Sequence, residues 1–177
     1  MASKIIINQF KTSVGELTIG SFEEKLCLCD WTYRKMHQAI LSRIQKSMNA
    51  EIEIGNSKII AKTKQQLLEY LNKERMTFDI ELLFCGTVFQ KSVWNELLKV
   101  PFGKTESYLG LSQKLNNEKA IRAVASANGA NAIAIIVPCH RIIGKSGKLV
   151  GYAGGLSSKK KLLDLENQNK VKQLQFF

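Results

Sequence analysis

Apolar and polar positions alternate along residues 4–10, 15–22 and 25–31, and Gly, Ser and acidic residues fall between the runs. A period of two broken by turn formers predicts three strands of an antiparallel meander. From 33 to 48 the period lengthens: Tyr33, Met36, Ile40, Ile44 and Met48 recur every three or four residues, as one face of a helix requires. Residues 58–74 repeat that pattern through Leu67, Leu68 and Leu71, and 77–84 return to strand character, so the first half reads as an α+β unit. Gly86 and Thr87 punctuate the chain, and beyond them the texture becomes one of short helices. Residues 89–98 are amphipathic, with Phe89, Val93 and Leu97 inward and Trp94 beside them, and the helix ends at Val100-Pro101-Phe102-Gly103. Two short helical stretches, 107–115 and 118–128, meet at Asn116-Asn117, a pair suited to a tight turn, and predict a helix-turn-helix. The apolar run from Ala132 to Val137, closed by Pro138, predicts a buried strand, and a last helix is expected over 157–168 with serines at its start. The pattern divides the chain into 1–85 and 86–177.

Composition narrows the class. The 177 residues are 45% hydrophobic, enough to build one ordinary domain or two small ones. Ile5-Ile6-Ile7 is a short apolar burst rather than a signal peptide, and no apolar run is long enough to span a bilayer; the expectation is a cytoplasmic protein with no membrane partner. Cysteines at 27, 29, 85 and 139 are too few and too irregular for a disulfide framework. The net charge of +11 is uneven: residues 1–83 carry 12 basic and 10 acidic side chains, whereas residues 84–177 carry 14 and 5. A basic half beside a nearly neutral one fits a polyanion-binding module on a scaffold, and equally a solvated lysine-rich surface.

Candidate chemistry gathers at Pro138-Cys139-His140-Arg141, where the buried run ends. A lone cysteine is often an inert small hydrophobe, and a thiol at a turn next to a histidine is also where a reactive sulfur would sit. Adjacent residues in extended chain face opposite ways, which argues against a protease-like Cys-His dyad; His140 can still act through a bound water. On the last helix Leu162, Leu163 and Glu166 share a stripe, so Glu166 lies on the apolar side and needs a partner. The candidates are His140, which would give a Glu-His-Cys relay, and Arg141, which would give a salt bridge. In the stretch Ala120 to Ala127, Ile121, Val124 and Ala125 can face the core, leaving a face of Ala123, Ser126, Ala127 and Gly129 that is bare except for Arg122. Such a face lacks the long polar side chains of a major-groove reader and suits close approach in a minor groove, though alanine-rich helices also simply pack tightly. Cys27 and Cys29 share a strand face, but with Cys85 they make no ordinary metal-ligand spacing; core cysteines are expected, with no metal and no cofactor. His37 sits among basic residues and reads as structural or exposed.

The motifs Gly86-Thr87-Val88-Phe89-Gln90, Val93-Trp94, Pro101-Phe102-Gly103-Lys104-Thr105, Ser107-Tyr108, Arg122-Ala123-Val124, Pro138-Cys139-His140-Arg141-Ile142-Ile143 and Gly151-Tyr152-Ala153-Gly154-Gly155 together resemble the O(6)-alkylguanine-DNA alkyltransferases. The likeness covers nearly all of the second half; the first half resembles the family more loosely, through Cys27-Leu28-Cys29-Asp30-Trp31 and Tyr33-Arg34-Lys35-Met36. The resemblance implies a ribonuclease H-like α+β domain with an antiparallel sheet over 1–85 and a mainly helical, winged-helix-like domain with a helix-turn-helix over 86–177. It implies a monomer that binds alkylated DNA in the minor groove. The alkyl group of O(6)-alkylguanine, and of O(4)-alkylthymine, would pass irreversibly to Cys139, once per molecule. Glu166, His140 and a water would deprotonate Cys139, Asn131 would brace the turn, and Tyr108 would rotate the nucleotide and protonate the leaving guanine. Arg122 would fill the vacated stack, Tyr152 would line the pocket, and carbonyls near Cys139 and Ile142 would read the guanine amino group. The substrate- and DNA-contacting set extends to Arg141, Ala123, Ala127, Gly129, Ala153 and Gly154. Ala132 stands where the family often has proline, and Ala153 where some members have serine. Two other classes stay open: a DNA-binding module without chemistry, and a thiol hydrolase.

Overall fold

A computed structural model describes residues 3–174, with side chains described through residue 167 of the last helix. The strands β1 (Lys4–Thr12), β2 (Gly15–Phe22) and β3 (Lys25–Trp31) form the expected meander, and β4 (Glu51–Ile54) adds to it in parallel with β1, giving the order β3-β2-β1-β4. Helix α1 (His37–Met48) lies between β3 and β4, and α2 (Lys58–Leu71) follows β4. The run Ile5-Ile6-Ile7 breaks strict alternation because both faces of the sheet are covered. Ile5 and Ile7 pack with Ile40, Leu41 and Ile44 of α1; Ile6 and Phe10 pack with Ile60, Leu67 and Tyr70 of α2. Ser57 starts α2 by accepting a hydrogen bond from Ile60 N–H at 3.1 Å.

The second half holds α3 (Val88–Leu97), a short parallel pair β5 (Glu106–Ser107) and β6 (Ile142–Ile143), α4 (Tyr108–Lys114), α5 (Ile121–Gly129) and α6 (Gly155–Leu174). Thr87 and Gln90 close a reciprocal capping box on α3, and Ser107 caps α4 through Gly110 N–H. Between α4 and α5 the chain turns at Asn116, whose φ of +54° suits asparagine, and enters α5 through a 3₁₀ turn, Glu118–Ala120. One apolar cluster joins the halves, running from Leu17, Ile19 and Trp31 through Trp94 and Val124 to Val137 and Leu162.

Three expectations need correction. Residues 77–84 form no strand: the segment lies along β3 with one isolated bridge, Leu26 to Leu82, held by Leu26 N–H to Glu81 O and Leu83 N–H to Leu26 O, both 2.8 Å. The run 132–137 is buried as expected but is not a strand. It bridges β3 only at Ile133, then turns, with Ile135 at φ +70° and Val137 N–H bonded to Ile133 O at 3.0 Å. Burial without period cannot separate a strand from other buried chain. Cys27 and Cys29 do not share an environment either: the register slips at Gly20/Ser21, and Cys27 packs with the α1 cluster while Cys29 joins the other. A bulge reverses the alternation that a strand of that length otherwise keeps.

Candidate functional site

Cys139 opens a 3₁₀ turn, Cys139–Arg141, directly after Pro138, and is only 4% exposed. It sits at the floor of a cavity of about 450 Å³ walled by Tyr108, Ala125, Asn128, Asn131, Tyr152 and Ala153. The turn is braced by the buried Asn131. Its side-chain carbonyl accepts from Ile133 N–H at 2.9 Å, and its amide faces Val137 O at 3.1 Å, Ile133 O at 3.3 Å and Cys139 Sγ at 3.2 Å. Burial pushes the Cys139 thiol above its ordinary value, against the opposing hydrogen bond from Asn131. The sulfur therefore rests as a thiol and needs a base.

Behind the turn, Glu166 is 1% exposed and takes both open partners at once. Its Oε1 accepts from His140 Nε2 at 2.8 Å, Arg141 Nη2 at 3.0 Å and Tyr70 O–H at 2.7 Å; its Oε2 accepts from Gly103 N–H and Arg141 Nε, each at 3.1 Å. Burial opposes the charge, but the hydrogen bonds from His140 and Arg141 outweigh it and lower the carboxyl to about 2. Burial also lowers His140, with Glu166 pulling the other way, so the ring is neutral near pH 7. A neutral imidazole beside a carboxylate donates through Nε2, which leaves Nδ1 as an acceptor; that atom is buried and has no partner among the described residues. Tyr108, half-buried in the cavity wall, is raised by burial and then by Cys139, and keeps its proton at neutral pH.

The other expected residues divide. Tyr152, Ala153 and Gly129 line the cavity, and Arg122 and Ala123 are exposed on α5. Arg141 is not a surface contact: it points inward to Glu166 and Val100 O and is 7% exposed, because a carboxylate in that position needs a bidentate cation. Ala127 is in the core, and its carbonyl accepts from Trp94 Nε1 at 2.8 Å; Ile121, expected inside, is 38% exposed. The ring of core contacts on α5 is thus shifted toward Val124, Ala127 and Asn128. Ile142 is buried outside the cavity, and its carbonyl accepts from Lys159 Nζ at 2.6 Å. Gly154 also lies outside: a Cβ there would collide with the Trp31 indole, and its carbonyl accepts from Tyr33 O–H at 3.0 Å.

Several residues of the site had no role expected of them from the sequence. Tyr70 reads as one more apolar position of α2, and Gly103 as a turn glycine. Lys159 is fully buried, bonded also to Val150 O at 2.9 Å and Gly151 O at 3.4 Å, yet it begins a run of three lysines that reads as solvated. A larger apolar hollow of about 580 Å³ between Phe78, Phe84 and Phe102 touches the same turn from behind at Pro138 and Arg141, away from the thiol. Among the described residues no group of three or more His, Cys, Asp and Glu side chains is arranged to hold a metal ion. Nor is any helix among them long and apolar enough to cross a membrane.

Comparison with known proteins bears on this geometry. Residues 88–168 match the family model described as 6-O-methylguanine DNA methyltransferase, DNA binding domain. A methylated-DNA–protein-cysteine methyltransferase of Methanosarcina acetivorans is 49% identical over 157 residues, 89% of this chain and 95% of that protein. The crystal structure of Mycobacterium tuberculosis O6-methylguanine methyltransferase superimposes with a TM-score of 0.79 at 35% identity, over 93% of this chain and 94% of the other. A structure of the mycobacterial protein in complex with DNA gives 0.78 at 35% identity, over 94% of both chains.

Proposed function

This chain belongs to the methylated-DNA–protein-cysteine methyltransferase family, and on that premise we propose that Cys139 is the methyl acceptor, consumed in the reaction. The protein binds DNA and repairs it by direct reversal, moving a methyl group onto a cysteine. The observation that carries the assignment to Cys139 is its setting: it is the thiol at the floor of the cavity, with Asn131 on its sulfur, His140 in the same turn, and Glu166 of α6 on His140 from behind.

In the proposed step a bridging water takes the thiol proton to His140 Nδ1, and Glu166 stabilises the imidazolium that forms. The thiolate attacks the alkyl carbon of O(6)-alkylguanine; a C–S bond forms and the C–O(6) bond breaks, its electron pair returning to the base. Tyr108 supplies the proton that the leaving guanine needs; the proton taken up by His140 is then released to solvent and Tyr108 is reprotonated from it, so both residues end neutral. The product is a thioether at Cys139 and a repaired base, so each molecule acts once, and O(4)-alkylthymine presents the same leaving oxygen. The base must leave the stack to reach a sulfur so deep. We read α4 and α5 as a helix-turn-helix in the minor groove, with Arg122 in the vacated stack and Ala123 and Gly129 permitting close approach. The division into a ribonuclease H-like unit, 1–85, and an alkyltransferase unit of winged-helix type, 86–177, belongs to the same reading, as does a monomer acting in the cytoplasm without metal or cofactor.

The test is incubation with an oligonucleotide carrying O(6)-methylguanine, followed by peptide mass spectrometry. The Cys139 peptide is expected to gain one methyl group, and Cys139→Ala to bind the DNA without removing the methyl. Unmodified Cys139 beside repaired DNA would sink the assignment.

A further inference from the structure

The last carbonyls of α5 and of the turn after it are taken by side chains from the first half of the chain. Arg34, in the turn between β3 and α1, donates through Nη1 to Asn131 O at 3.0 Å and through Nη2 to Gly129 O. Arg43, on α1, donates through Nη2 to Ala130 O at 2.9 Å and stacks on the Trp94 ring at 5.5 Å. Three consecutive carbonyls, 129 to 131, thus meet two guanidinium groups. The carbonyls before them bond within the turn, and Ala127 O also accepts from Trp94. Arg34 is itself fixed by Asp30, which is fully buried and accepts from Nη1 at 3.1 and 3.2 Å. Cations at a helix C-terminus are favourable in any fold, but a two-headed donor held by a buried carboxylate also sets direction.

Both ends of this contact belong to the site. Upstream, α5 supplies Ala125, Asn128 and Gly129 to the cavity wall. Downstream, Asn131 is the residue whose amide reaches Cys139 Sγ. We infer that Arg34 and Arg43 are positioning residues that lock the 129–131 turn, and so hold α5 and the Asn131 amide at a fixed place relative to the Cys139 sulfur. The inference rests on Cys139 being the acceptor. A link from Asp30 through Arg34 to the main chain of Asn131, and from its side chain to the sulfur, gives the sheet half of the molecule a part in the chemistry. A displacement of about 1 Å at that sulfur is enough to lower the rate on the order of 100-fold.

The discriminating variant is Arg34→Lys. It keeps the charge near Asp30, Cys29, Tyr108, Tyr152 and Lys159, the groups around the thiol, but one ammonium cannot replace a planar fork on two carbonyls and a carboxylate. Single-turnover transfer from the methylated oligonucleotide is to be resolved into the saturating rate and the half-saturating protein concentration. Alkylation of the Cys139 peptide by iodoacetamide, followed against pH without DNA, reads the sulfur directly. For Arg34→Lys the saturating rate is expected to fall roughly 10- to 100-fold with a smaller change in half-saturation, and the iodoacetamide profile to move to higher pH as the Asn131 amide leaves the sulfur. Arg43→Gln, which retains one donor for Ala130 O, is expected to fold and to lose less. An Arg34→Lys protein that melts like the wild type and keeps its saturating rate and its thiol profile overturns the inference. So does a pair of variants whose rates fall only in proportion to the folded fraction. If Arg34→Lys fails to fold, Arg43→Gln decides: an unchanged saturating rate and thiol profile overturns the clamp. Should the wild type take no methyl from DNA, the acceptor assignment fails, and the iodoacetamide arm still decides the clamp.

Discussion

A thiol raised by burial and an imidazole lowered by burial leave Cys139 and His140 both neutral near pH 7. If the proton moves within that pair during the reaction, the rate follows the fraction of neutral His140: it is flat through neutral pH and falls only on an acid limb below the ordinary histidine value of 6.5. With His140→Phe the thiolate must form from solvent, so the rate is expected to drop roughly 10²- to 10⁴-fold and then climb with pH. Single-turnover rates of the two proteins across pH separate these shapes; parallel profiles would remove His140 from the step. Glu166 makes a second claim at this scale. Its carboxyl lies at about 2 against an ordinary 4.5, so the stability it contributes is present above 4.5 and lost as pH falls through about 2. Glu166→Gln leaves Arg141 buried without its counter-charge, at a cost of about 3 kcal/mol or more at neutral pH. That difference is expected to shrink on acidification through the same window. Urea unfolding midpoints at neutral and acid pH check it, and a gap independent of pH would count against an ionised Glu166. That a carboxylate on the Leu162-Leu163 stripe must be partnered was legible in the sequence. That His140, Arg141, Tyr70 and Gly103 would all meet it was not, since Tyr70 and Gly103 arrive from elements whose own patterns say only helix and turn.

Elements were legible where their period was, and failed where the partner rather than the period decides. The strands β1 to β3 and helices α2 to α4 lie within a few residues of the pattern, because alternation and capping residues such as Ser57 and Thr87 are local. Residues 132–137 carry the right burial but the wrong shape, since Asn131 and the β3 edge satisfy backbone groups that a strand would pair with a neighbour. What holds the wall formed by Val150 to Ala153 was hidden for the same reason, since its supports come from other elements. Lys159 bonds the Ile142, Val150 and Gly151 carbonyls from inside, and Trp31 and Tyr33 meet Gly154 from the sheet half. Lys159→Met removes the donor to the buried Ile142 carbonyl and to the carbonyls of Val150 and Gly151, and is expected to cost about 1–3 kcal/mol. The loss falls on the segment 144–151, which has few other ties. Amide exchange there should accelerate more than in β1 or β2, where ladder bonds are untouched; uniform acceleration would mean that Lys159 supports the whole fold and not this wall.

At the scale of the molecule, the +9 balance of residues 84–177 and the change of texture at Gly86 suggest two separable units, yet the contacts cross that boundary at the site itself. Glu166 is bonded by Tyr70, the turn at 129–131 by Arg34 and Arg43, and Gly154 is packed on Trp31. Trp31, Leu17 and Ile19 lie in one apolar cluster with Trp94, Val137 and Leu162. Cutting at residue 85 would expose that cluster on both pieces and leave the carbonyls of Gly129 to Asn131 without donors. Burial of large side chains such as Trp31 and Tyr70 is worth a few kcal/mol each, comparable with the whole margin of a small domain. A chain of residues 86–177 alone is therefore expected to lack a cooperative melting transition and a reactive Cys139, even though it carries all the motifs of the closer likeness, from Gly86 to Gly155. Mixing it with residues 1–85 should restore both if the interface rather than covalent continuity is what counts. The check is thermal melting, and methyl transfer to the Cys139 peptide, for the isolated piece and for the mixture. A cooperatively folded, reactive 86–177 would show that the sheet half is a passenger, and the clamp at Arg34 and Arg43 would then lose its reason.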